Sequence, residues 1–347
     1  MNIVVLAGGL SPERDVSLLS GSLIAKSLIR SSHKVILLDV YMGIDLCGKA
    51  PIEMFTDTFN EDFIIGDTAP DLDEVKRRNN NQKELIGKNV LALCQAADVV
   101  FIALHGDMGE NGQLQATFDN FSIKYTGSGY IGSLLAMDKD LTKRIISIEG
   151  ICTANWIYCN LKNDCKEQIL TEIGLPCVVK PCSCGSSVGV SLVYTYEQLE
   201  AALKFAGLYE KNIVVEKLIK GREFSAAILG NEPLPPIEII PKDGFYDYKN
   251  KYQSGKTVEE CPAKLTAEQL EKINKASIRV FKCLRLCGYA RIDFILGDDG
   301  EFYCLEANTL PGMTPFSLLP QEAAAAGLDY DALCERIAMY GVTIPNK

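Results

Sequence analysis

With 347 residues, 47% of them hydrophobic and 23% charged, the chain is globular and long enough for two or three domains rather than one core. Its formal charge of −10 at pH 7 excludes a general nucleic-acid or membrane-surface binder, because both need a basic field; any anionic ligand must be held by local positive groups. No apolar run approaches the ~18 residues of a membrane span.

The start, MNIVVLAGGLSPER, lacks the basic beginning and small-residue cleavage site of a secretion signal, so the expectation is a cytoplasmic protein. Thirteen cysteines is an odd number, and most lie in apolar runs such as PCVVKP and FKCLRLCG, where a free thiol behaves as a small hydrophobe. They read as reduced. With no paired CxxC set and only His33 and His105 as imidazoles, a structural zinc site is not expected.

The first third alternates strand and helix: NIVVLAG, a helix over Asp15–Arg30, KVILLDV and DVVFIALHG. This rhythm predicts a parallel sheet with helices on its faces. SPERDVS predicts Ser11 as the helix N-cap and Pro12 at the first helical position, and it aims Glu13 from the C-terminal end of the first strand, where open α/β sheets bind ligands. Capping alone would also account for the segment. Residues 46–90 weaken into a polar surface excursion, and a helix-rich stretch over Ile131–Gly150 leads into a second unit.

That unit offers CVVKP, GVSLV and NIVVEK as β elements with YEQLEAALKFAG as a helix. Lys180 ends one strand and is followed by CSCGSSVGVS, a Gly- and Ser-rich loop whose N–H groups and hydroxyls could wrap phosphate oxygens; a plain hairpin turn reads equally well. It is not a Walker A loop, and Lys139 in AMDKD is a second candidate cation. In VVEKLIKGREF, Glu216 and Glu223 could accept hydrogen bonds from an adenine amino group and a ribose, or be surface charge. Strands EFSAAILG and LPPIEII precede a polar loop over Lys242–Pro262 and a helix over Ala267–Leu286. The later units therefore read as α+β, with boundaries near 133 and 212 giving units 1–133, 134–212 and 213–347.

RIDFILGDDGEFYCLEAN reads as a β-hairpin with Asp299-Gly300 as a two-residue turn. Partners then sum to 599, which sets Asp293 against Glu306 and Arg291 against Asn308 on one face, and Ile292–Ala307, Phe294–Leu305 and Leu296–Tyr303 in the core. Like charges directly opposite repel, so the corner is either a solvated edge balanced by Arg291 or a cradle for Mg²⁺, which takes oxygen ligands and accepts substrate phosphates. After it, Pro311-Gly312 allows close backbone approach, and the Gly312 N–H could meet an oxyanion together with Arg291.

Seven stretches in order, GGLSPERDVSLLSG, ALHGDMGENGQLQ, TGSGYIGSLLAMDK, KPCSCGSSVGV, FYDYKNKY, GYARIDF and LEANTLPGMTPFSLLP, together resemble the D-alanine:D-alanine ligases of the ATP-grasp superfamily. The resemblance implies three domains, with ATP between the second and third. It places Lys139 and Lys180 on the α and β phosphates, Lys251 near the γ phosphate, Ser187 on the nucleotide, and Glu216, Lys217 and Glu223 on adenine and ribose. It makes Asp293, Glu306 and Asn308 ligands of two Mg²⁺ or Mn²⁺ ions, with a monovalent cation as a further option.

Glu13 would hold the first substrate's ammonium, joined by Ser186 and Tyr252 in a hydrogen-bonded triad, with His105 nearby. Arg291 and Gly312 would form the oxyanion hole, and Ser317 and Leu318 would contact the second substrate. The implied reaction is ligation of two D-alanines through an acyl phosphate, for peptidoglycan, in a cytoplasmic homodimer that binds neither nucleic acid nor membrane. Tyr252 favours D-alanine over D-lactate as acceptor. The alternatives are a D-alanine:D-serine ligase, another ATP-grasp ligase, or a non-catalytic nucleotide-binding protein.

Overall fold

A computed structural model describes residues 1–61, 63, 70–241 and 257–344. Lys251, Tyr252 and the FYDYKNKY stretch lie outside them. Among the described residues, no helix is long and apolar enough to cross a membrane.

Among the described residues, three sheets carry the fold. The first is parallel, in the order β2-β1-β3, from β1 (Asn2–Ala7), β2 (Lys34–Asp39) and β3 (Val99–Ile102). Every β1 residue after Asn2 is buried, as expected of a central strand covered on both faces. The helix Arg14–Arg30 lies so close to this sheet that a Cβ on Gly21 would come within 2.8 Å of Ala7 Cβ.

The second sheet is antiparallel, β4-β7-β5-β6, from β4 (Trp156–Asn160), β5 (Cys177–Pro181), β6 (Ser191–Val193) and β7 (Asn212–Lys217). The third is antiparallel along β11-β10-β8-β12-β13, with β9 paired to β8. Its strands are β8 (Gly221–Leu229), β9 (Glu232–Pro233), β10 (Ile237–Pro241), β11 (Thr257–Glu260), β12 (Tyr289–Gly297) and β13 (Phe302–Asn308). Part of the expected polar loop is thus strand: β11 pairs Thr257–Glu260 with Glu238–Pro241.

Three elements cross the expected boundaries. A cut after 212 would sever β7, which is hydrogen-bonded on both sides to β4 and β5. The helix Lys139–Ile148, expected in the second unit, buries Ile146 in the core of the third sheet. The helix Tyr330–Thr343, expected in the third, returns to the first sheet and buries Leu333, Cys334, Ile337 and Ala338 in its core. Each helix goes where an apolar face is otherwise uncovered.

Two local readings also change. The first helix begins at Arg14 with Glu13 in the N-cap position; Ser11 and Pro12 lie in the preceding turn, where Ser11 Oγ accepts from the Glu13 N–H at 3.2 Å and donates to the His105 carbonyl at 2.7 Å. In the β12–β13 hairpin the turn has three residues: the Gly297 N–H donates to the Glu301 carbonyl, and Gly300 takes a φ of +80°, the left-handed residue such a loop needs.

Pairing therefore runs Leu296–Phe302, Ile295–Tyr303 and Phe294–Cys304, not Leu296–Tyr303 and Phe294–Leu305. A bulge at Leu305 then takes up one residue and restores Asp293–Glu306, Ile292–Ala307 and Arg291–Asn308. Phe302 and Cys304 fill the core, while Tyr303 and Leu305 do not.

Candidate active site

Between the second and third sheets lies a cavity of about 440 Å³, a size suited to a small-molecule ligand. Its walls include Lys139, Lys180, Ser187, Glu216, Lys217, Glu223, Asp293, Leu305 and Glu306. Lys180, the last residue but one of β5, forms an ion pair with Glu216 on the adjacent β7. Glu216 is 3% exposed; although burial pushes its carboxyl up, the ammonium charges of Lys143 and Lys180 hold it below the ordinary range. Lys139 opens its helix behind an Asp138 cap, and its ammonium reaches the Cys184 carbonyl at 2.7 Å and Glu306 at 3.3 Å. Lys217 is turned partly away, donating to the Leu175 carbonyl at 3.2 Å.

The loop over this cavity is conformationally costly. Ser186 and Ser187 both take left-handed backbone, at φ +51° and +58°, a state that non-glycine residues adopt at a cost of roughly 1 kcal/mol or more each. The strain turns Ser186 out of the cavity that Ser187 lines, and Ser186 Oγ donates to Glu13 Oε1 at 2.5 Å, 173 residues away in sequence.

That bond opens on a second cavity, about 520 Å³, walled by Glu13, His105, Glu110, Ser186, Glu259, Arg291, Glu306, Asn308, Gly312, Ser317 and Leu318. His105, three residues beyond β3, is pushed down by burial, with Glu13 opposing the shift. Burial raises Glu110 to about 8, and the nearby Glu13 charge adds to it. Burial thus works against charge on both groups. Gly312 lies against Ser317, whose Oγ would stand 2.9 Å from a Cβ there, and Ser317 Oγ in turn accepts from the Thr314 N–H at 3.1 Å.

The open end of the hairpin joins the two cavities. Arg291 grips Asp293 with two bonds of 2.9 Å, and the Asn308 amide reaches Asp293 at 3.1 Å. Directly across the ladder, Glu306 carries Lys139. Two carboxylates and an amide on one corner, each acid neutralised by a cation, form a donor set that suits a hard divalent ion finishing its shell with phosphate oxygens. Among the described residues, no cluster of three acids, histidines or cysteines forms a closed cage of its own.

The lines of likeness to known proteins converge. Residues 2–128 match the family described as D-ala D-ala ligase N-terminus and residues 145–339 the one described as D-ala D-ala ligase C-terminus. The chain belongs to the D-ala D-ala ligase family. It is 41% identical to the D-alanine–D-alanine ligase of Pediococcus pentosaceus over 98% of this chain and 97% of that one. It is 40% identical to that of Lacticaseibacillus casei, over 96% and 93%. The crystal structure of the ligase from Bacillus anthracis superposes with a TM-score of 0.77 at 34% identity, covering 99% of this chain and 98% of that one. The same organism's ligase complexed with ATP gives 0.76 at 30% identity, with the same coverage. The fold is thus ATP-grasp, and the family is one of ADP-forming ligases that use ATP.

Within this ligase scaffold the structure gathers every expected site residue it describes around the two cavities. It adds Glu110 and Glu259 to the wall of the second cavity and sets the buried Lys143 behind Glu216, all three passed over by the sequence reading. Glu110 sits inside a quoted motif on a one-turn helix, where nothing local marks it as facing a cavity. Lys143 had a signal, since it lies four residues after Lys139 and so on the same helical face.

Proposed function

We propose that this protein joins two D-alanine molecules into D-alanyl-D-alanine at the expense of ATP, in the cytoplasm, supplying the peptidoglycan precursor. The observation that carries the reading is that Glu306 lines both cavities, so a nucleotide in one and an amino acid in the other meet at a single carboxylate. The first cavity, with Lys139, Lys180, Ser187, Glu216, Lys217 and Glu223, takes ATP, with Lys251 toward the γ phosphate. The second takes the two substrates.

Glu13, fixed by Ser186 and joined by Tyr252, holds the ammonium of the first D-alanine, with His105 beside it. The carboxylate oxygen of this substrate attacks the γ phosphorus, ADP departs, and an acyl phosphate remains. Phosphorylation is required because a bare carboxylate would have to expel oxide when an amine attacks. Asp293, Glu306 and Asn308 would hold Mg²⁺ or Mn²⁺, which supplies neutralisation of charge on the transferring phosphoryl.

The amino group of the second D-alanine, whose carboxylate is held by Ser317 beside Leu318, attacks the acyl carbon. The oxyanion of the tetrahedral intermediate is met by the Arg291 guanidinium and the Gly312 N–H. Collapse expels inorganic phosphate and leaves the peptide bond. The enzyme works as a homodimer and binds neither nucleic acid nor membrane. Phosphate release from ATP should require D-alanine; equal release with L-alanine would overturn the substrate assignment. A panel of D-alanine, D-serine and D-lactate acceptors, with products weighed by mass spectrometry, decides the second substrate.

A further inference from the structure

Glu216 has two lysine partners where one would neutralise it. Lys180 lines the nucleotide cavity and pairs with Oε1. Lys143 is wholly buried and does not line the cavity, and its Nζ stands 2.7 Å from Oε2. Each carboxylate oxygen of Glu216 thus carries one ammonium, and of the two lysines Lys180 is the one on the cavity wall. When Lys180 turns to a phosphate, the oxygen it leaves is a charged, dry acceptor that suits the exocyclic amino group of a purine.

Lys143 itself is anchored away from the strand it serves. It donates to Thr153 Oγ1 at 2.6 Å, the Thr153 hydroxyl donates to the Cys304 carbonyl at 2.8 Å, and the ammonium lies over the Trp156 ring at 5.6 Å. Cys304 is on β13, two residues before Glu306. Lys143 is therefore tied to the metal hairpin and cannot follow a ligand, whereas Lys180 faces the ligand directly.

We propose that Lys143 is a positioning residue: the permanent counter-ion that keeps Glu216 available to the nucleobase amine while releasing Lys180 to the phosphates. The inference rests on the reading of Glu216 as the adenine acceptor. Without Lys143, a buried Glu216 would depend on Lys180 alone; the lysine would stay on the carboxylate and both ends of the nucleotide would lose a contact.

The test compares ATP with inosine triphosphate, in which an oxygen replaces the amine, for wild type, Glu216→Gln and Lys143→Met. In both variants the ATP:ITP ratio of kcat/KM should fall at least tenfold. In Lys143→Met the KM for ATP should rise more than kcat falls, with the KM for D-alanine within twofold of wild type. If Glu216→Gln leaves the ratio unchanged, the adenine reading fails and takes this inference with it. If Glu216→Gln collapses the ratio while a folded Lys143→Met keeps both ratio and KM, only the role of Lys143 fails. Should Lys143→Met not fold, the neutral pair Lys143→Met with Glu216→Gln serves instead. Its ratio should match Glu216→Gln within twofold, and a tenfold difference would overturn the proposal.

Discussion

Replacing Glu322 by Gln should change how stability depends on pH without touching the reaction. Glu322, in the helix Leu318–Ala325, is fully buried against β8, and its Oε2 accepts from the Ala227 N–H at 2.5 Å. Burial raises its carboxyl to about 8, against 4.5 for the free side chain. Between those values the unfolded chain has released the proton while the native chain keeps it, so stability falls as pH rises, by about 1.4 kcal/mol per pH unit. Over the whole window the loss is about 5 kcal/mol, a large part of a typical domain's margin. Gln keeps an oxygen for Ala227 and has no proton to lose. Other buried groups slope too, Glu110 in the same direction and His105 in the opposite one, so the informative quantity is variant minus wild type. In urea unfolding followed by circular dichroism at pH 5, 6, 7 and 8, that difference should shift steadily in favour of the variant and flatten above pH 8. A difference constant across the four pH values would refute the assignment of a buried, protonated Glu322.

Glu306→Gln should cut turnover by more than 100-fold while leaving the far-ultraviolet spectrum intact, since the side chain is a cavity wall and not core; full activity would remove the metal role. Ser186→Ala deletes a hydrogen bond to a charged partner, worth about 1.5–3 kcal/mol, and should lower kcat/KM for D-alanine about 10- to 100-fold with the KM for ATP little changed. Gly312→Ala places a methyl group 2.9 Å from Ser317 Oγ and should raise the KM of the second D-alanine several-fold, measured with the first site saturated.

The sequence made the site more legible than the domain plan. Lys180, Glu216 and Glu306 sit near strand ends and Asp293 in mid-strand, each a charged residue that breaks an apolar run and so stands out. The stripe of Leu333, Cys334, Ile337 and Ala338 was equally readable as a buried helix face, yet no periodicity says which sheet it covers; that is settled by which core is left open after the rest has packed. Glu322 was invisible for a related reason. An acid among alanines on a short helix looks solvated, and only the strand beneath it, with a backbone N–H to satisfy, gives it a buried partner.

The hairpin shows how a correct contact can follow from an incorrect register. A two-residue turn and an unbroken ladder predict Asp293 opposite Glu306; the protein reaches the same pair with a three-residue turn and a one-residue bulge. The two departures cancel at the open end, but they are not equivalent to the simple ladder. With strict alternation from the real turn, Phe302 and Cys304 facing the core would carry Glu306 into the core after them. The extra residue, Leu305, reverses the facing, so that Leu305 and Glu306 both line the first cavity while Ala307 returns to the core. The bulge is thus what allows one strand to be apolar at its base and to present a carboxylate at its mouth, and this requirement, rather than turn propensity, explains why the ladder is irregular beside the reacting groups.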